Sequence, residues 1–331
     1  MDTQGLPPGE VSPFEPLGGG TQNVTLRFSR GGESYVLRRG PLHLRKASNE
    51  SIRREAVVLT AIDGTGVPAP RVVAACPDES VLGAAFYLMR PVAGFNPATE
   101  IPEPHASDAA MRRQMGFEAV TALAKLGAVD HSAVGLDGFG HPDGFLARQI
   151  ERWLGELDSY SSNEGYAGPE LPHLDGVVGW LDAHRPASFT PGIMHGDYHL
   201  ANVLYRLDGP QLAAIVDWEM CTIGDPLLDL GWLIATWPTS DTVMAAQNAL
   251  GRAGGLPAPE ELIEHYAALS SRDLDAMDWY TVMACFKLAI VLEGTHARAV
   301  AGKAPKDIGD FLHAVAVELF DRAAGVIADG I

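Results

Sequence analysis

Cysteine is scarce in this chain, with three residues in 331. Cys76, Cys221 and Cys285 are too scattered for a disulfide framework and lack the clustered spacing of a structural zinc site, a pattern that fits a reducing compartment. Basic residues are also few: 24 Lys and Arg stand against 42 Asp and Glu, a formal charge of -18. A surface of that sign repels polyanions, which argues against nucleic-acid or anionic-membrane partners. Long apolar runs are missing too. The best candidate, residues 280–292, contains Lys287 and is too short to span a bilayer. The opening Met1-Asp-Thr-Gln-Gly-Leu-Pro-Pro has neither the basic n-region nor the apolar h-region of a cleaved signal, so the expectation is a cytoplasmic protein without a membrane partner.

What is present is material for a large core. Apolar residues make up 47% of the chain and charged residues only 20%, which excludes global disorder, and the length leaves room for two lobes. Residues 26–28 and 34–37 read as strands around an Arg30-Gly-Gly-Glu33 turn, and 51–62 as a helix with Val57, Val58 and Ile62 on its apolar side. Strands at 71–75 and 85–89 follow. Ser107 is the expected cap of a helix carrying Met111, Met115, Ala119, Ala122 and Leu126 and stopping at Gly127. Helices are expected at 151–160 and 177–184, short strands at 192–194, 203–205 and 213–216, and mainly helix from Leu227 onward. The fold class is therefore α+β and bilobal. A small sheet-rich lobe, residues 1–92, should precede a larger mainly helical lobe, residues 93–331.

Two motifs carry the chemistry, His195-Gly-Asp-Tyr-His-Leu-Ala-Asn202 and Ile215-Val-Asp-Trp-Glu219. Phosphoryl transfer needs a carboxylate to orient the attacking hydroxyl and accept its proton, and hard oxygen ligands to hold magnesium against the phosphates. Asp197 suits the first role, and Asn202 and Asp217 the second. Each alone also fits a turn or cap; the shared residue types, spacing and flanking strands favour an active site.

The two motifs, with the following Gly224-Asp225-Pro226 and Asp229-Leu-Gly231, resemble those of the aminoglycoside phosphotransferase and choline kinase-like superfamily. The resemblance is greatest to the kinase-like domain associated with acyl-CoA dehydrogenases. It implies a protein-kinase-like fold in which residues 1–92 bind nucleotide and residues 93–331 carry catalysis and the acceptor, with ATP and Mg2+ between the lobes, His195 fastening the catalytic loop, and Asp225 and Asp229 supporting it. It makes residues 18–23 the loop covering the nucleotide, with Gly18, Gly19 and Gly20 approaching phosphates and Asn23 near one, and makes Met89, Arg90 and Val92 the hinge beside adenine. Arg38 stands where kinases carry a strand lysine, with Glu55 on the next helix as its ionic partner; a register shifted by one residue would put Arg39 there instead. An arginine offers a planar donor fork of different geometry from lysine.

The expected activity is ATP-dependent phosphorylation of a hydroxyl on a small metabolite, with a hydroxyacyl thioester suggested by the resemblance and an aminoglycoside or amino alcohol suggested by the overall acidity. A nucleotide-binding regulatory module or pseudokinase, motivated by Arg38, is the alternative. The acceptor wall is expected on residues 273–293, with Trp279, Tyr280, Phe286 and Lys287 as lining candidates and Arg148 and Arg152 as contacts for an anionic acceptor.

Overall fold

The computed structural model describes residues 1, 4–18, 23–239, 246 and 248–331. Its first part is a five-stranded antiparallel sheet of β1 (Glu15–Pro16), β2 (Val24–Arg30), β3 (Glu33–Arg39), β4 (Val72–Cys76) and β5 (Phe86–Met89), in the order β1-β2-β3-β5-β4. The two-residue turn between β2 and β3 requires positive φ at both positions, and Gly31 (59°) and Gly32 (81°) supply it. Alternation along β3 sends Tyr35 and Leu37 to the outer face, where they pack with Phe28 and Leu88. Val36 and Arg38 take the opposite face, toward α1 (Ser48–Ala61).

α1 begins three residues before the expected start and buries Ile52, Glu55, Ala56, Val58 and Leu59. Val57, expected on the apolar side, is half exposed, because Ile52, Ala56 and Leu59 set the buried stripe at i, i+4 and i+7.

The second part begins in earnest with α2 (Ala109–Ala128). Its cap is Asp108, whose carboxylate accepts the Met111 amide at 3.0 Å. Ser107, the expected cap, gives its hydroxyl to Glu103 instead. α3 (Ala147–Ser159) and α4 (Leu174–Ala183) lead to two small antiparallel pairs, β6 (Gly192–Met194) with β9 (Thr222–Gly224) and β7 (Val203–Tyr205) with β8 (Leu212–Ile215). Helices α5 (Leu227–Ala235), α6 (Ala249–Ala253), α7 (Pro259–Leu269), α8 (Met277–Val300) and α9 (Lys306–Asp329) complete this lobe. α8 is buried on nearly every side, packed between α5 and α9. Gly231 permits the close approach of α5, since a Cβ there would lie 2.5 Å from the Tyr280 carbonyl oxygen.

The molecule is thus a bilobal α+β structure of the kinase-like type, with a sheet-rich lobe set on a larger helical one. Among the described residues no helix is long and apolar enough to cross a membrane.

Candidate active site

The first motif is a turn held from behind. After β6 the chain reverses at Gly196, whose φ of 85° and 2.5 Å approach to the Met220 carbonyl, measured from an ideal Cβ, leave no room for a side chain. The Asp229 carboxylate, in the first turn of α5, accepts the amides of His195 at 2.6 Å and Gly196 at 2.8 Å. Burial pushes the Asp229 carboxyl up to about 7, against the pull of those two amides and the Lys287 ammonium. His195 is fully buried, which lowers its pKa and keeps the ring neutral. Its Nε2 bonds the Val216 carbonyl at 2.9 Å and its Nδ1 accepts the Asp197 amide at 3.3 Å, so this one ring ties the first motif to the second. Tyr198 fastens the same turn to α2 through the Ala119 carbonyl, at 2.7 Å.

These constraints aim the Asp197 side chain into the cleft. Its Oδ2 accepts the Asn202 amide at 2.9 Å, and His199 Nε2 stands 3.3 Å from Oδ1. Burial works to raise the Asp197 carboxyl; the His199 hydrogen bond and charge, with the Lys287 ammonium, outweigh it and hold the group well below the usual carboxylate range. The aspartate is therefore ionised at neutral pH.

The second motif places Asp217 just past β8 with φ of 66°, a left-handed conformation uncommon for a residue with a side chain and concentrated at functional sites. Arg38 reaches it from β3: Nη2 meets Asp217 Oδ1 at 2.5 Å while Nε meets Glu55 Oε2 at 2.7 Å. Glu55 is completely buried and also accepts the Tyr87 hydroxyl at 2.9 Å, so its oxygens are committed. Burial would lower the Arg38 pKa, yet Glu55, Tyr87 and Asp217 raise it well above the ordinary arginine value. Arg39 points away, bonding the Gly40 and Leu82 carbonyls, so the residue facing the cleft is Arg38.

Glu219, two residues beyond Asp217, joins this group. One oxygen from each of Glu55, Asp217 and Glu219 lies within 4.8 Å of the others, and Glu219 accepts the Asn23 amide at 3.1 Å. Burial, then the charges of Asp217 and Glu55, raise the Glu219 carboxyl. Three carboxylates around one guanidinium leave excess negative charge, and Asp217 and Glu219 offer hard oxygens suited to a small divalent cation.

Other sequence candidates fall in different places. Gly18 is an exposed bend with open space around it; Gly19 and Gly20 lie outside the described residues. Met89 pairs with Val36 on the cleft face of the sheet, and Val92 is half-buried beyond it. Arg90 turns to the outer face, bonding Glu33 at 2.6 Å and stacking over Tyr35, because its neighbour Met89 already occupies the inner side. Asp225 accepts the Leu227 amide at 3.1 Å and the Tyr280 hydroxyl at 2.6 Å at the start of α5.

A cavity of about 320 Å³ opens beside Gly196, lined by Arg152, Trp153, Glu219, Asp229, Trp232 and Lys287 among others. Lys287 donates to the Gly196 carbonyl at 2.8 Å and lies 4.1 Å above the Trp232 ring. Burial brings its pKa down to about 8, opposed by Asp197 and Asp229. Met283 and Ala284 of the expected acceptor wall also line the cavity, whereas the other named candidates lie elsewhere. Trp279 bonds the Leu181 carbonyl in the core, Tyr280 braces Asp225, and Phe286 packs on Phe320, because α8 turns those residues toward its helical neighbours. Arg148 closes its own loop on the His141 and Asp143 carbonyls. His199 and Glu219 received no role from the sequence, although their two-residue offset from Asp197 and Asp217 marked them.

Comparison with known proteins agrees with this architecture. The sequence model of the phosphotransferase enzyme family (APH) matches residues 13–269. Acyl-CoA dehydrogenase family member 11 of Gallus gallus is 29% identical over 294 residues, and that of Rattus norvegicus 30% over 288; each alignment covers 86% of this chain. The chain spans 36% of the length of these relatives. In structure it is similar to a candidate aminoglycoside phosphotransferase of Ralstonia eutropha, at a TM-score of 0.78 and 28% identity over 96% of this chain and 93% of that one. A choline/ethanolamine kinase family protein of Mesorhizobium loti shares the fold at a TM-score of 0.58 and 22% identity, covering 96% of this chain and 92% of its own. With the family's sequence pattern running through both lobes and the cleft between them, this chain belongs to the phosphotransferase enzyme family and is related to a segment of the acyl-CoA dehydrogenase family members.

Proposed function

We propose that the protein transfers the terminal phosphoryl group of ATP to a hydroxyl group of a small metabolite. The observation that carries this reading is the Asp197 carboxylate, kept ionised and fixed by Asn202 and His199, on a turn that the His195 ring ties to the motif where Asp217 and Glu219 gather with Arg38. Asp197 would orient the acceptor hydroxyl and take its proton as the oxygen attacks the terminal phosphorus and the bond to the departing ADP breaks. Arg38, held by Glu55, would position phosphate oxygens, and the peptide groups of Met89 and Val92 would meet the adenine edge. Asn202 and Asp217, with Glu219 adjoining, would hold magnesium, which when bound neutralises phosphate charge. No side chain need become covalently attached to substrate.

The acceptor is proposed to carry oxygen-rich groups, because the cavity beside Gly196 sets the donors Arg152 and Lys287 among the Glu219 and Asp229 carboxylates. A hydroxyacyl thioester is the first compound to test, given the relatives named above, and a cationic aminoglycoside the second, since the same cavity carries two carboxylates as well as two cations. A mass-spectrometric search of pooled hydroxyacyl thioesters, alcohols and aminoglycosides should find a product heavier by one phosphoryl group. Its formation should fall about 10²–10⁴-fold in Asp197→Asn, the usual loss for a positioned base.

One observation favours a second reading, a nucleotide-binding module without turnover: Arg38 replaces the kinase lysine and bonds Asp217 directly. That reading prevails if ATP and magnesium raise the melting temperature while no acceptor in the pool is phosphorylated.

A further inference from the structure

A second cluster of ligand-type side chains stands apart from the cleft, where α8 crosses α9. Glu293 and His296 lie one turn apart on α8, and His313 reaches them from α9. One oxygen or nitrogen from each lies within 4.8 Å of the others. Glu293 is completely buried, yet no Lys or Arg pairs with it among the described residues. Its partners are the Tyr166 hydroxyl and His313 Nδ1, both at 2.7 Å. The rings of His296 and His313 are nearly parallel, with centroids 4.5 Å apart. His296 Nδ1 is buried without a hydrogen bond. Its nearest carboxylate, Asp310, is 3.8 Å away, beyond hydrogen-bond reach, and is engaged by Lys306.

A carboxylate withdrawn from water needs positive charge, and a buried imidazole nitrogen needs a partner. One ion would satisfy both. We propose that Glu293, His296 and His313 form a binding site for a divalent transition ion of the zinc type. Two imidazoles and one carboxylate suit such an ion, whereas the all-oxygen preference of magnesium and calcium directs those ions to the cleft. Metal–ligand bonds of about 2.0–2.2 Å would need the three ligand atoms drawn together from their present spacing. Rotamer adjustment on two firmly packed helices can supply that movement. The bound ion would fasten the second half of α8 to α9 and to the Tyr160–Tyr166 segment, which already touches α8 through Tyr160 and Ile290.

The test uses the full chain carrying Cys76→Ser, which removes the one thiol that is not buried, and Asp217→Asn, which removes a carboxylate from the cleft cluster, after chelator treatment. Titration calorimetry with Zn2+ alone should show one ion per chain. Co2+ should give visible absorption of a nitrogen- and oxygen-ligated ion without a thiolate charge-transfer band. Glu293→Gln and His313→Gln should each weaken Zn2+ binding at least about 10-fold, the range known for loss of a mere supporting partner. Circular dichroism and an unchanged ATP-induced thermal shift would show that these variants are folded. Zn2+ binding equal in the parent and in both variants overturns the site. So does absence of binding in a folded parent, which would leave Glu293 and His313 as a plain ion pair.

Discussion

Glu55 shows what a charge in the cleft requires. It has no exposure to water, and its stability rests on Arg38 and the Tyr87 hydroxyl. Arg38→Ala strands that carboxylate, so chemical denaturation should show a loss of about 3–5 kcal/mol, whereas Tyr87→Phe, which removes a single bond to a charged group, should cost about 1.5–3 kcal/mol. A cost near zero for Arg38→Ala would mean that Glu55 is neutral in the fold. Lys287 gives a prediction in pH. Its pKa falls from 10.5 to about 8, so the cation beside Gly196 is present below that pH and lost above it. KM for an anionic acceptor should therefore rise on the alkaline side of about pH 8, and Lys287→Arg should carry the limb to higher pH. Stability should move the other way: between about 8 and 10.5 the unfolded chain holds the extra proton, so this group's contribution grows as pH rises. An alkaline limb that survives unchanged in Lys287→Arg would assign it to another group.

At the scale of elements, α5 and α8 are fitted to each other through Gly231. Adding a methyl group there meets the Tyr280 backbone, and neither helix can yield without moving Asp229 or the Tyr280 contact to Asp225. Gly231→Ala should cost about 1–3 kcal/mol in urea unfolding and also lower phosphotransfer, since Asp229 holds the Asp197 turn; a stable variant of full activity would show that the helices slide freely. The same packing explains what was legible beforehand. The short strands at 192–194 and 203–205 were readable because turn residues bound brief apolar runs. The orientation of α8 was not. A helix buried all round has no polar stripe, so periodicity could not separate Lys287, which faces the cavity, from Trp279 and Phe286, which face the core. The α2 cap was displaced by one residue because Asp108 and Ser107 are both good capping residues and Glu103 competes for the serine.

Across the whole molecule, the site is assembled by contacts between the lobes. Asn23 meets Glu219, Arg38 meets Asp217, and Arg54 bonds the Phe139 and Cys221 carbonyls, joining residues 196, 179, 85 and 167 positions apart. Motif spacing shows each half of such a pair but not the partner, which only folding brings near; hence the catalytic turn was readable and the Arg38–Asp217 contact was not. These contacts also set how ligands should act on stability. ATP with magnesium would draw on groups from both lobes, so a saturating level near 100 times Kd should add about 2.7 kcal/mol. For a chain of this size that corresponds to a rise in melting temperature of roughly 4 °C. Magnesium alone should add little, because Arg38 already occupies one Asp217 oxygen. Asp217→Asn should retain much of the ATP shift and lose the further increment from magnesium. If that increment persists in the variant, the cation is held by Glu219 and Asn202 without Asp217, and the assignment of the second motif falls.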